Sequence, residues 1–100
     1  MSQNRIHLLA SEDKLIRIQE GEFESGFWDV TEKQASRLVG DLIFFHNERA
    51  KPSYFGGRIL SYRIQDDLRI VFRFRYEPEC RGIRTEGKWA SREKKIVMKG

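Results

Sequence analysis

The sequence predicts an α+β domain in which one short helix feeds a small, partly closed β-barrel of five or six strands. Three observations predict it. Residues 68–76 alternate strictly, with Ile70, Phe72, Phe74 and Tyr76 on one parity and Arg69, Val71, Arg73 and Arg75 on the other. Thr31-Glu32-Lys33-Gln34 has the spacing of a capping box, in which residues one and four exchange side-chain and backbone hydrogen bonds at a helix start. The remainder divides into short apolar runs separated by turn residues, the pattern of a small β structure.

Taken in order, residues 5–10 form a first strand, with Ile6, Leu8 and Leu9 as its apolar content. Ser11-Glu12-Asp13 breaks it, and residues 14–19 form a second strand carrying Leu15, Ile16 and Ile18. Residues 20–26 are polar and glycine-flanked and read as a loop or irregular edge, after which Phe27-Trp28-Asp29-Val30 restores apolar bulk. A helix over about 32–39 follows. Ala35, Leu38 and Val39 make its apolar stripe, Val30 staples it and Gly40 stops it. It is too short to stand without packing on the sheet.

Residues 42–46 are apolar without alternation, as in a strand covered on both faces. Residues 47–53, with Pro52, form a loop, and Tyr54-Phe55-Gly56-Gly57 a tight turn. Strands are expected over 58–64 and 68–76, joined by a turn at Gln65-Asp66-Asp67. A loop over 77–87 and a last strand within 93–98 complete the chain.

One hundred residues, 39% hydrophobic and 34% charged, suit one domain over 1–100 with a modest core. No window approaches the roughly 18 apolar residues of a membrane span, and the opening residues lack a signal peptide's apolar stretch. A lone Cys80 excludes an internal disulfide framework, so the expected location is the cytoplasm. Charge is uneven. Residues 1–50 hold six Lys/Arg against nine Asp/Glu, whereas residues 51–100 hold thirteen against six. A basic second half attracts phosphates, although a solvated surface has the same composition.

Ala35-x-x-Leu38-Val39-Gly40-Asp41-Leu42-Ile43-Phe44-Phe45, followed by Phe55-Gly56-Gly57-Arg58-Ile59, resembles the PUA-like superfamily, especially its EVE and ASCH branches. Phe27-Trp28 is similar to the aromatic entry of EVE domains, and the likeness covers about residues 27–64. The resemblance implies a curved barrel whose cleft accepts RNA or a modified base in DNA. An amidohydrolase branch of ASCH proteins uses a Gly-x-Lys-x-x-Thr type of motif, which this sequence lacks. A binding domain is therefore expected rather than an enzyme.

The candidate contacts to nucleic acid follow from residue chemistry. Trp28 and Tyr54 adjoin loops and are suited to stacking on a base, although large aromatics also serve as core. His46 and Asn47, where an apolar strand ends, are suited to polar contacts with a base edge. Arg69, Arg73 and Arg75 form a one-parity stripe for phosphate, with Arg58 as a further contact; an exposed charged sheet face reads the same way. Arg58 and Arg63 differ in parity and share that face only if a bulge intervenes. Two histidines and one cysteine without close spacing make no zinc site, and no cofactor motif occurs. The expected partner is nucleic acid or a modified nucleotide; the alternatives are a protein-interaction or homodimer module and, as the resemblance implies, a small ASCH-type amidohydrolase acting on a modified nucleoside. No membrane association is expected.

Overall fold

The computed structural model of the protein describes residues 4–85, 89 and 93–98. Their elements are β1 (Arg5–Leu9), β2 (Leu15–Gln19), β3 (Glu22–Trp28), α1 (Glu32–Leu38), β4 (Leu42–His46), β5 (Phe55–Ile64), β6 (Ile70–Tyr76) and β7 (Lys94–Val97). Single 3₁₀ turns lie at Glu12–Lys14 and Pro78–Cys80. All seven strands join one mixed sheet in the order β2-β3-β6-β5-β4-β1-β7. Only β1 and β4 run parallel.

The α+β class and the single short helix are as expected; the partly closed barrel of five or six strands is not. The sheet has seven strands and stays open, with β2 and β7 as its edges and no ladder between them among the described residues. It is nevertheless strongly coiled. Six interstrand spacings of about 4.8 Å would carry a flat sheet across about 29 Å with a thin third dimension, yet the molecule measures 32 × 30 × 28 Å. Trp28, Val30, Ala35 and Leu38, from the corner after β3 and from α1, fill the hollow of this coil together with sheet residues. Among the described residues no helix is long and apolar enough to cross a membrane.

The capping box forms as its spacing requires. The Gln34 amide donates to Thr31 Oγ1 at 3.1 Å and the Thr31 amide donates to Gln34 Oε1 at 3.2 Å. After α1, Gly40 takes a φ of 91°, a left-handed conformation that glycine adopts without steric cost. Backbone bonds from the Gly40 amide to Ile59 O and from the Ile59 amide to Asp41 O, both 2.8 Å, lock this corner to β5.

The alternation in β6 places Ile70, Phe72 and Phe74 in the core and Arg73 and Arg75 on the opposite face. Strand β4 is covered on both faces: Ile43 and Phe45 join the core, while Phe44 and His46 are buried on the other side. Truncating any of the fully buried rings Phe45, Phe72 or Phe74 to alanine removes about 3–5 kcal/mol.

Two local expectations are corrected. Residues 22–26, within the expected loop over 20–26, belong to strand β3: Glu22 and Glu24 lie opposite Arg75 and Arg73, while Phe23 lies opposite Phe74. Glutamate's low strand propensity hides the alternation, and cross-strand ion pairs compensate for it. Phe55-Gly56-Gly57 is likewise the start of β5 rather than a tight turn, paired with Phe45, Phe44 and Ile43. A Cβ on Gly57 would lie 1.9 Å from the Arg75 carbonyl oxygen, so glycine is required here by close strand approach.

Candidate functional site

Of the expected stripe, Arg73 and Arg75 share one face of β6 and are already paired, whereas Arg69 lies before the strand in the β5–β6 turn. Arg73 Nη2 contacts Glu22 Oε1 at 2.7 Å, and Arg63 Nη2 contacts Glu24 Oε1 at 3.2 Å. Glu77 Oε2 accepts from both Arg58 at 3.2 Å and Arg75 at 3.5 Å. Arg58 also donates to Gly40 O at 2.7 Å, which ties it to the helix corner. A register shift between Ile59 and Ser61 supplies the bulge that brings Arg58 and Arg63 to one face despite their opposite parity. The Gln19 amide and then Arg73 hold the Glu22 carboxyl below its ordinary range.

The aromatic candidates lie on the other side of the sheet. Trp28 is 6% exposed, belongs to the core and donates its indole N–H to Ser25 Oγ at 3.0 Å. Tyr54 packs against the core and donates its hydroxyl to Ala10 O. Burial, followed by Glu12 and Asp13, raises that phenol to about 12. Trp28 and Tyr54 therefore do not converge with Arg73 and Arg75 around a common hollow, because alternate residues of β6 face opposite ways.

A groove of about 1000 Å³ does bring two expected residues together, Trp28 and Arg69. Its walls come from β2 (Ile16), the end of β3 (Gly26, Phe27, Trp28), the β5–β6 turn (Asp67, Leu68, Arg69), and Leu9 and Glu93. Lys14, Asp13 and Asp29 complete the rim. Phe27 reaches this groove because the β3–β6 register shifts between Ser25 and Trp28. Gly26 permits the crossing, since a Cβ there would lie 2.6 Å from Val71 Cγ2. The outcome is a phenyl ring 56% exposed beside Leu68, which is 78% exposed. Leu68 itself has a φ of 68°, held by its amide bond to Gln65 O at 2.9 Å. Arg69 pairs with Asp67 at 3.5 Å across the same turn.

No family model, curated protein or solved structure matches the chain. What the site can do therefore rests on its own geometry. The groove combines an accessible ring, two cations and four carboxylates, which suits a planar ligand carrying hydrogen-bond donors better than a bare anion.

His46 and Asn47 part company. Asn47 is exposed in the loop after β4, whereas His46 is fully buried on the outer side of β4. There His7 Nδ1 lies 2.9 Å from His46 Nε2, His7 stacks on Phe44 at 4.6 Å, and Trp89 sets its edge against both imidazoles. His46 Nδ1 lies 2.9 Å from Lys51 O, which only accepts, so the hydrogen-bond network assigns the proton to Nδ1. Nε2 of His46 then accepts from His7 Nδ1, and the lone pair of a neutral His7 falls on Nε2. Burial, then His46, Arg5 and Lys95, lowers His7 to about 3, and burial lowers His46 against the opposing bond to Lys51. Both rings are neutral at pH 7. The parallel β1–β4 pairing creates this contact; no spacing in the sequence announces it.

Proposed function

We propose that the protein is a small binding module whose groove receives an unpaired or modified base of a nucleic acid. The observation that carries this reading is Phe27, a ring 56% exposed on the wall of a groove of about 1000 Å³, next to Arg69 and Lys14. A base stacks on Phe27 and Leu68, its amino and imino N–H groups donate to carboxylates such as Asp29 and Glu93, and Lys14 and Arg69 approach the backbone. Such stacking is worth about 1–3 kcal/mol per base. The basic second half of the chain supports long-range attraction of the strand.

Fluorescence anisotropy with labelled single-stranded RNA, single-stranded DNA and base-modified duplexes tests it. Affinity falls with added salt, and Phe27→Ala weakens binding about tenfold. Salt-independent binding, or identical affinities for Phe27→Ala and the parent, ends this reading.

A second reading has its own support. Strand β2 is an edge, and its Ile16 and Ile18 are 60% and 41% exposed. Among the described residues no strand pairs with the outer side of β2, and an edge with exposed isoleucines suits strand addition by a second chain. Sedimentation that gives a salt-resistant dimer, abolished by Ile16→Lys, with no oligonucleotide binding, would favour it.

A further inference from the structure

A second cavity lies at the other end of β1, on the outer side of the sheet. It measures about 260 Å³ and is lined by Arg5, His7, Arg84, Thr85, Lys95 and Val97. The β1–β7 ladder builds most of it. Arg5 pairs with Val97 and His7 with Lys95, so residues two apart on each strand put all four on one face. Arg84 and Thr85 close the cavity from the segment after Gly82, and an Arg84 Nη1 bond to Ala50 O at 2.9 Å anchors that segment.

The lining is chemically one-sided. It presents two guanidinium groups, an ammonium group, a hydroxyl and an imidazole, and no Asp or Glu among the described residues. Thr85 Oγ1 is buried with no hydrogen-bond partner among the described residues. A buried hydroxyl without a partner is costly and calls for a ligand atom or water. The volume lies just below the range of ordinary small-molecule pockets, which limits the ligand to a small ion or the charged end of a larger molecule.

We infer that this cavity is a binding site for a phosphate group that still carries a proton, either free inorganic phosphate or a terminal phosphate monoester. The guanidinium groups of Arg5 and Arg84 and the ammonium of Lys95 supply charge-assisted donors for its oxygens, and Thr85 supplies a hydroxyl. His7 sets the selectivity. Its Nδ1 is committed to His46, so the nitrogen it offers a ligand is Nε2, an acceptor. A phosphate monoester has a second pKa of about 6 and retains part of its P–OH population near neutrality. Sulfate and a phosphodiester have no such proton and meet Nε2 lone pair to lone pair. The site is independent of the groove at Phe27 and of any nucleic acid bound there.

Isothermal titration of the full chain with inorganic phosphate, with sulfate at matched ionic strength, and with a nucleoside 5′-monophosphate tests the inference. Phosphate is expected to bind at least about tenfold more tightly than sulfate, and Arg5→Gln to weaken phosphate about tenfold or more. Lys95→Gln provides a second variant should Arg5→Gln fail to fold, and Phe27→Ala leaves phosphate binding unchanged. Tighter binding of the mononucleotide identifies an ester end group as the ligand, and tighter binding of phosphate identifies the free ion; both support the site. Equal affinities for phosphate and sulfate, loss of phosphate binding in Phe27→Ala, or phosphate binding unaffected by either cation variant would overturn it.

Discussion

His7 Nδ1 donates to His46 Nε2 across 2.9 Å, although the two residues are 39 apart in the chain and both rings are buried. The bond exists because β1 lies parallel to β4 in a register that sets His7 beside Phe44 and Leu9 beside His46. It forms a relay that starts at the Lys51 carbonyl and ends at His7, with neutral imidazoles throughout. Protonating either ring would place a charge between buried aromatics, with Arg5 and Lys95 nearby.

Acid sensitivity follows. The folded-state pKa of His7 is lowered to about 3, whereas the unfolded chain titrates near 6.5. The unfolded state therefore binds more protons below pH 6.5, so the stability is fully present above that value and is lost as pH falls toward 3. Between pH 7 and pH 5 the loss is on the order of 2 kcal/mol. Urea denaturation at pH 7, 6 and 5 measures it. His7→Gln, which retains a donor for His46, is expected to flatten the dependence; an equally steep profile in that variant would assign it to other groups.

Phe27 and Trp28 are neighbours with opposite roles, and alanine substitution separates them. Trp28 is core, so Trp28→Ala costs about 3–5 kcal/mol of stability. Phe27 is exposed on the groove wall, so Phe27→Ala changes stability by less than about 1 kcal/mol. Paired thermal melts and oligonucleotide titrations check both halves. A large stability loss in Phe27→Ala would make that ring structural.

This pair also shows how far the residues alone carry the reading. The Thr31–Gln34 cap, the apolar strand 42–46 and the alternation of β6 are local patterns, and each forms where its chemistry indicates. Trp28 and Arg69 do line one groove, but the ring that reaches solvent there is Phe27, turned outward by a register shift beside Gly26. Such a shift depends on the partner strand and leaves no periodic trace. Strand β3 has no legible period for a related reason: Glu22 and Glu24 favour a strand only once β6 lies alongside and Arg73 and Arg63 come within ion-pair distance of them. Open sheet against barrel is decided by whether β2 meets β7, a contact that neither strand's composition encodes.

Leu68 carries strain that its exposure does not repay in stability. A leucine at φ 68° costs about 1–2 kcal/mol, and its side chain is 78% exposed in the β5–β6 turn. Leu68→Gly relieves the strain and adds unfolded-state entropy, leaving a net gain of about 0.5–1 kcal/mol. The same change removes apolar surface from the groove. A higher melting temperature together with weaker oligonucleotide binding is expected, and a destabilised variant would show that Leu68 packs productively.

Glu22 decides whether Arg73 is available to a phosphate. Its Oε1 accepts from Arg73 Nε at 3.0 Å and from Nη2 at 2.7 Å, while Gln19 donates to its Oε2 at 2.9 Å. On this face four arginines, 58, 63, 73 and 75, meet three carboxylates, Glu22, Glu24 and Glu77, so most of the positive charge is locally cancelled. Glu22→Gln keeps the shape, removes one negative charge and releases the Arg73 guanidinium. Because the pair lies at the surface, folding is expected to change little. If nucleic acid crosses this face, the slope of log affinity against log salt steepens by about one unit and affinity at low salt rises. Anisotropy titrations from low to moderate salt read the slope directly. An unchanged slope with intact binding would confine the phosphate contacts to Lys14 and Arg69 at the groove and leave the arginine ladder as a solvated outer surface.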